Sequence, residues 1–296
     1  MVTVDNDGGG GRISGALSGP DVPPPRRRSD PVRTTIRTVG EVLITLGLVV
    51  LLFVVYEVYI TDVISAGKQR DATAALDDQW KQDGAGKDDP QRVDHFEGLK
   101  PGDGFAKMYI PSFGLDYHFT IVEGTTEQAL EVGPGHYTDT AYPGVPGNFA
   151  VAGHRVGKGS PFNDIDLIKP CDAIIVETKL SWYIYRMLPK KEDKANWAAT
   201  KAKNPLCAKV DVLGGAYKDL VGQEIVSPNQ GNVIAPVPHR PDVPLSVGER
   251  ATLMTLTTCH PRFEARQRLI VHAVMARQVP KDQLPPGQPP PEMKEG

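Results

Sequence analysis

Residues 251–276 read ATLMTLTTCHPRFEARQRLIVHAVMA. Two apolar runs rich in Thr, Val, Ile and Leu, 251–258 and 268–276, flank a polar stretch that contains Pro261. That is the pattern of two strands joined by a loop. If the strands pair as a hairpin, their facing ends bring Cys259 and Arg268 close together. Arginine stays ionised at any relevant pH and offers a rigid fork of donors. A thiol and a fixed cation in one mouth suit attack on a carbonyl with stabilisation of the developing charge. The spacing alone also fits a buried structural cysteine and a surface arginine.

Working outward, similar short strands separated by turn residues are expected at 105–110, 117–122, 148–152, 172–177, 181–187 and 223–227. Helices are expected at 126–131 and 162–168. No βαβ rhythm appears, so the fold class is mostly β, an antiparallel barrel or sandwich. The domain is expected to run from about 90 to 278.

The flanks differ in character. Residues 1–38 are rich in Gly, Pro, Ser and Arg, and 279–296 are Pro-rich and nearly free of apolar side chains. Both are expected to be disordered, because they bury too little surface to offset chain entropy. Residues 39–60 are almost wholly apolar, with only Glu41 and Glu57 near the ends. They make roughly 33 Å of helix at about 1.5 Å per residue, enough to span a bilayer core. Arg26, Arg27, Arg28, Arg33 and Arg37 precede that run against a single acid, Asp30. The positive-inside bias then places the N-terminus in the cytoplasm and the domain outside. A cleaved signal peptide fits less well, since the apolar run exceeds the usual length and Ile64-Ser65-Ala66 puts a bulky residue where cleavage wants a small one. Residues 61–89 read as a helical stalk followed by a Gly/Asp linker.

The formal net charge of −3, with no basic stripe in the folded part, argues against a nucleic-acid partner. Three cysteines lack zinc spacing, and Asp164 with Asp166 reads as a solvated turn rather than a calcium site. No metal and no cofactor is expected.

A thiol nucleophile needs a base. Among seven histidines, His260 adjoins Cys259 but points to the other side of an extended chain. His272 lies inside an apolar strand and reads as a packing or rim residue. His95, His118 and His239 sit in unremarkable contexts. His154 follows a strand and a glycine and precedes a Gly-rich loop, the setting of a presented side chain. His136 in GPGHY is the second choice, and on the residues alone the question stays open.

TLTTC at 255–259, Arg268 in RQRLIVHA and AGHR at 152–155 together resemble the sortases, membrane-anchored cysteine transpeptidases. The stretch GPGHY…PGVPGNFAVAGHR and the N-terminal anchor look most like class E, the housekeeping type of actinobacteria. The resemblance implies a closed eight-stranded β-barrel over about 90–278. It implies Cys259 as nucleophile, His154 as general acid/base and Arg268 as substrate clamp and oxyanion stabiliser. The implied reaction is cleavage of an LPXTG- or LAXTG-like sorting signal between Thr and Gly through a thioester. The acyl group then passes to a peptidoglycan amine. The implied partners are secreted proteins carrying that signal, the cell-wall amine and the membrane. A pilin-polymerising sortase and a surface thiol hydrolase with the same triad are the alternatives.

The chain departs from that pattern at about 188–222, a long polar stretch expected to loop out of the barrel. It carries Cys207, and Cys171 stands where relatives tend to have Gly. Two unusual cysteines on the oxidising side of a membrane invite a Cys171–Cys207 disulfide that leaves Cys259 free.

Overall fold

The computed structural model describes residues 30–56, 60–82 and 94–296. Helix α1 (Pro31–Val55) buries none of its side chains and is the one helix among the described residues long and apolar enough to cross a membrane. It opens on Pro31, whose missing N–H costs nothing in a first helical turn. Residues 31–38 are therefore helical, not part of a disordered tail, and 1–29 of that tail lie outside the described residues.

The eight expected strands all form. In chain order they are β1 (Gly104–Tyr109), β2 (His118–Glu123), β4 (Gly147–Ala152), β5 (Ala173–Glu177), β6 (Ser181–Met187), β7 (Gln223–Val226), β8 (Thr252–His260) and β9 (Gln267–Pro280). A two-residue strand, β3 (Gly135–His136), went unforeseen because a dipeptide has no alternation to read. It completes the ring. The sheet runs β6-β5-β1-β2-β3-β4-β8-β9, and β9 pairs back onto β6 to close an eight-stranded barrel. The long β9 serves two neighbours on one edge: Arg268 to Val271 pair with β7, and Ala273 to Pro280 pair with β6. So β7 lies beside the ring rather than in it.

The barrel interior holds Met108, Ile121, Phe149, Val151, Tyr185, Met254, Leu256, Leu269 and Val271, all buried. Each large apolar side chain removed from water contributes about 1.5–3 kcal/mol. The period of two leaves Thr255, Thr257 and Cys259 of β8 on the outer face, with Arg268, Ile270 and His272 of β9. Ile270 there packs against Val226 and Val233, so the segment from β7 onward covers part of that face.

Three expectations need correction. First, the region read as a stalk is a helix, α2 (Thr61–Gln82), but it is docked on the barrel. Leu76 is buried, and the contacts that fix the helix on β2 are polar. The Gln69 carboxamide accepts from Thr120 N (2.8 Å) and donates to Thr120 O (2.9 Å), acting as a surrogate strand for β2. Gly133 makes room for it: a Cβ there would collide with Gln69 Nε2. The linker residues 83–89 lie outside the described residues.

Second, the insertion at 188–222 does not loop out. It folds into 3-10 turns and the short helix α4 (Trp197–Lys203) around its own apolar cluster. Trp197, Cys207, Val210, Tyr217 and Leu220 pack there with Cys171, Leu188, Val237 and Leu253. Cys171 and Cys207 are joined by a disulfide with Cα atoms 5.1 Å apart.

Third, residues 279–296 are ordered. β9 continues to Pro280, and Leu284 and Met293 pack on Ala173, Ile175 and Trp182. Glu295 accepts two bonds of 2.9 Å from the buried Arg186. Counting apolar residues missed this, because a bidentate charge-assisted pair holds the end and prolines lower the entropy of the free chain.

The expected helices at 126–131 and 162–168 are shorter: one turn, α3 (Glu127–Leu130), capped by Thr126, and a 3-10 turn at Ile165–Leu167.

Candidate active site

Three neighbouring strands end at one rim. β8 and β9 are antiparallel, and their register sets Cys259 directly opposite Arg268. The hairpin reading of the two apolar runs gave this pairing. On the other side, β4 runs parallel to β8, with Ala152 opposite Thr257. The pairing continues one step beyond the strand: Gly153 N donates to Thr257 O (3.1 Å), and Thr258 Oγ1 donates to Gly153 O (2.8 Å). His154, the next residue, therefore leaves β4 level with the Cys259 end of β8. Gly153 has no room for a side chain, since a Cβ would strike the Phe162 ring.

Cys259 is the free thiol among the cysteines and is partly exposed. Arg268 is partly exposed, and its Nη1 donates to Ala265 O (3.1 Å) and Gln267 O (3.0 Å). Those bonds hold the guanidinium at the mouth of the hairpin loop. His154 is half-buried. Its Nε2 is shielded from solvent and has no hydrogen-bond partner among the described residues. Burial lowers its pKa, with Glu131 pulling the other way. A buried, unpartnered ring nitrogen is a costly feature to keep unless something else uses it.

His136, the second choice on sequence, has a different setting. It is fully buried, with Nδ1 on the Glu123 carboxylate (2.9 Å) and Nε2 3.2 Å from Ala141 O. Both ring nitrogens are occupied by the fold.

Arg155, the neighbour of His154, carries no motif signal of its own. It is almost wholly buried and ties the rim together. Nη1 donates to Cys259 O (3.4 Å) and to His260 Nδ1 (2.8 Å), while Nη2 pairs with Asp166 (3.0 Å). Asp164 and Asp166, read as a solvated turn, are engaged by Arg262 as well. An arginine next to the candidate base, followed by acids in the next loop, was the available signal. A separate cavity of about 490 Å³ lies between α2 and the barrel, walled by Gln69, Gly133, Lys158 and Pro161. None of Cys259, His154 and Arg268 lines it.

The family profile described as a sortase domain matches residues 108–276, a span that holds all three rim residues. The chain belongs to the sortase family. Sortases are cysteine transpeptidases, and the free thiol on this rim fits that class. Two curated relatives are sortases SrtE1 and SrtE2 of Streptomyces coelicolor. SrtE1 is 31% identical over 84% of this chain and 60% of its own length, and SrtE2 is 32% identical over 85% and 87%. The chain thus spans less than two thirds of SrtE1. Among solved structures, SrtF sortase from Corynebacterium diphtheriae is similar with a TM-score of 0.61 and 41% identity, over 69% of this chain and 98% of that one. This sortase is class E-like by its curated relatives, and its eight-stranded barrel is that of the family.

Proposed function

We propose that this sortase is a membrane-anchored transpeptidase. It would cleave an LPXTG- or LAXTG-like C-terminal sorting signal between Thr and Gly and pass the protein to a peptidoglycan amine. The observation that carries the reading is the register of β4, β8 and β9, which sets His154, Cys259 and Arg268 on adjacent strand ends.

In this reading His154 takes the proton of the Cys259 thiol as the sulfur attacks the Thr carbonyl. The electron pair moves to the oxygen, and Arg268 donates to that oxyanion. Collapse breaks the Thr–Gly C–N bond. His154 gives its proton to the departing amine, leaving a thioester on Cys259. The incoming amine attacks the thioester, His154 takes the amine proton, and Cys259 leaves with the electron pair of the broken C–S bond and regains a proton from His154. Arg155 would hold the Cys259 carbonyl so that the thiol keeps its place. Helix α1 would be the anchor, with the arginines before it on the cytoplasmic side and the barrel outside. The partners are then secreted proteins bearing the signal, the cell-wall amine and the membrane.

The test incubates the full chain with LAXTG and LPXTG peptides and an amine, beside Cys259→Ala. A new amide between the Thr carboxyl and the amine, absent in the variant, is the expected product. Free acid alone at every amine concentration would make the chain a hydrolase, and no cleavage of either peptide would sink the substrate assignment.

A further inference from the structure

On the outer face of the barrel, away from Cys259, three side chains from three segments meet. Glu224 comes from β7, His272 from β9, and His239 from the connection between β7 and β8. His239 Nε2 lies 2.6 Å and His272 Nε2 3.0 Å from the same oxygen, Glu224 Oε1. His272 is fully buried, while Glu224 and His239 are partly exposed, so the group opens to solvent on one side.

The hydrogen bonds behind His272 fix its tautomer. Asn148 Nδ2 faces two carbonyls, Val233 O (3.5 Å) and Ala235 O (3.2 Å), so its Oδ1 must point to Thr255. Thr255 Oγ1 has one proton and gives it to that Oδ1 (2.7 Å). The only bond left for Thr255 to make with His272 Nδ1, at 2.9 Å, is one in which the ring donates. With Nδ1 carrying hydrogen, Nε2 of the neutral ring is a lone pair aimed at a carboxylate oxygen. Two lone pairs 3.0 Å apart require a proton or a metal ion between them. His239 supplies a second imidazole from a backbone at φ 65°, the left-handed region, held by His239 N to Asn232 O (2.9 Å).

We propose that Glu224, His239 and His272 form a binding site for a divalent first-row metal ion, zinc by its ligand set. Two imidazoles and a carboxylate with one open side are a zinc constellation, the fourth place going to water. Ligand bonds of about 2.0–2.2 Å require each imidazole nitrogen to move away from Glu224 Oε1 by less than about 1 Å, and the three ligand atoms already lie within 4.8 Å of one another. Thr255 is the outer partner that orients the buried imidazole. His272 lies four residues from Arg268 on β9, or roughly 13 Å along the strand at about 3.3 Å per residue. The ion therefore does not touch the thiol. It clamps β7 and the connection after it onto the face that carries the active rim. The sequence hid this set, because Glu224, His239 and His272 are far apart in the chain and no ligand spacing links them.

The test uses the untagged full chain in detergent carrying Cys259→Ala, which removes the competing thiol. The protein is stripped with chelator, titrated with Zn²⁺ by calorimetry and assayed for bound metal. The expected result is one zinc per chain. Binding is lost in His239→Ala and Glu224→Gln, and Thr255→Val weakens it by about 10- to 100-fold. His239 is partly exposed, so His239→Ala keeps the fold, which far-UV circular dichroism verifies. A chain that takes up no zinc, or takes it up equally well in both ligand variants, overturns the site. It would put a proton, not a metal ion, between His272 and Glu224.

Discussion

Reducing the Cys171–Cys207 bond should cost the domain a large part of its stability. The bond closes a segment with a sequence separation of 36. For that length the loop-closure entropy is roughly −13 cal/mol/K, or about 4 kcal/mol at 25 °C. Both cysteines are buried in the cluster with Trp197, Val210 and Leu253, the last of which belongs to β8. The bond therefore ties the insertion to the turn before β5, and the cluster around it rests on the strand that carries Cys259. Reduction is the cleaner perturbation, because it leaves every packing atom in place while Cys→Ala would also open a cavity. The assay is urea and thermal unfolding of the Cys259→Ala chain with and without reductant, followed by tryptophan fluorescence. Trp197 reports the insertion and Trp182 the barrel. At roughly 2–4 °C per kcal/mol for a domain of this size, Tm should fall by about 8–16 °C. A loss below about 1 kcal/mol would refute the closure argument. It would mean that the unfolded insertion is already compact without the bond.

Three other outcomes follow from the geometry. Gln69→Ala strips Thr120 N and O of their partner and should cost about 1–3 kcal/mol in chemical unfolding; a loss under about 0.5 kcal/mol would show that α2 is not held by this bridge. Glu295→Gln leaves the buried Arg186 guanidinium without its carboxylate and should lower stability by about 1–3 kcal/mol, with Tm unchanged if the last residues do not dock. His154 should titrate below its ordinary 6.5, since burial disfavours the charged ring. As pH falls through about 6.5 the unfolded chain takes up the proton before the native one, so this group makes stability fall with pH there. An NMR titration of the His154 ring giving a midpoint at or above 6.5 contradicts the burial argument.

What could be read from the sequence was whatever repeats with a period. Strands of five to nine residues bounded by turn residues declared themselves, and so did the Cys259–Arg268 pairing, because a hairpin's register follows from the spacing of its two apolar runs. β3 is too short to alternate. α2 carries no apolar stripe: it docks through Gln69, Lys68 and Thr73, whose partners on β2 and in the turn after α3 are distant in the chain. The insertion looked polar because Trp197, Val210, Tyr217 and Leu220 are scattered singly through it, and only the fold gathers them. Arg155 and the Glu224–His239–His272 group were hidden for the same reason. Their meaning lies in hydrogen bonds across strands that are far apart in sequence.

The account rests on Cys259 forming a thioester with the threonine of a sorting signal. Mass spectrometry of the full chain quenched in acid after mixing with an LAXTG or LPXTG peptide tests this directly. The account predicts a mass increase equal to the peptide acid up to its Thr less one water, located on the peptide containing Cys259, removed by hydroxylamine and absent from Cys259→Ala. A quenched wild-type chain with no adduct from either peptide, or an adduct that persists in Cys259→Ala, contradicts it.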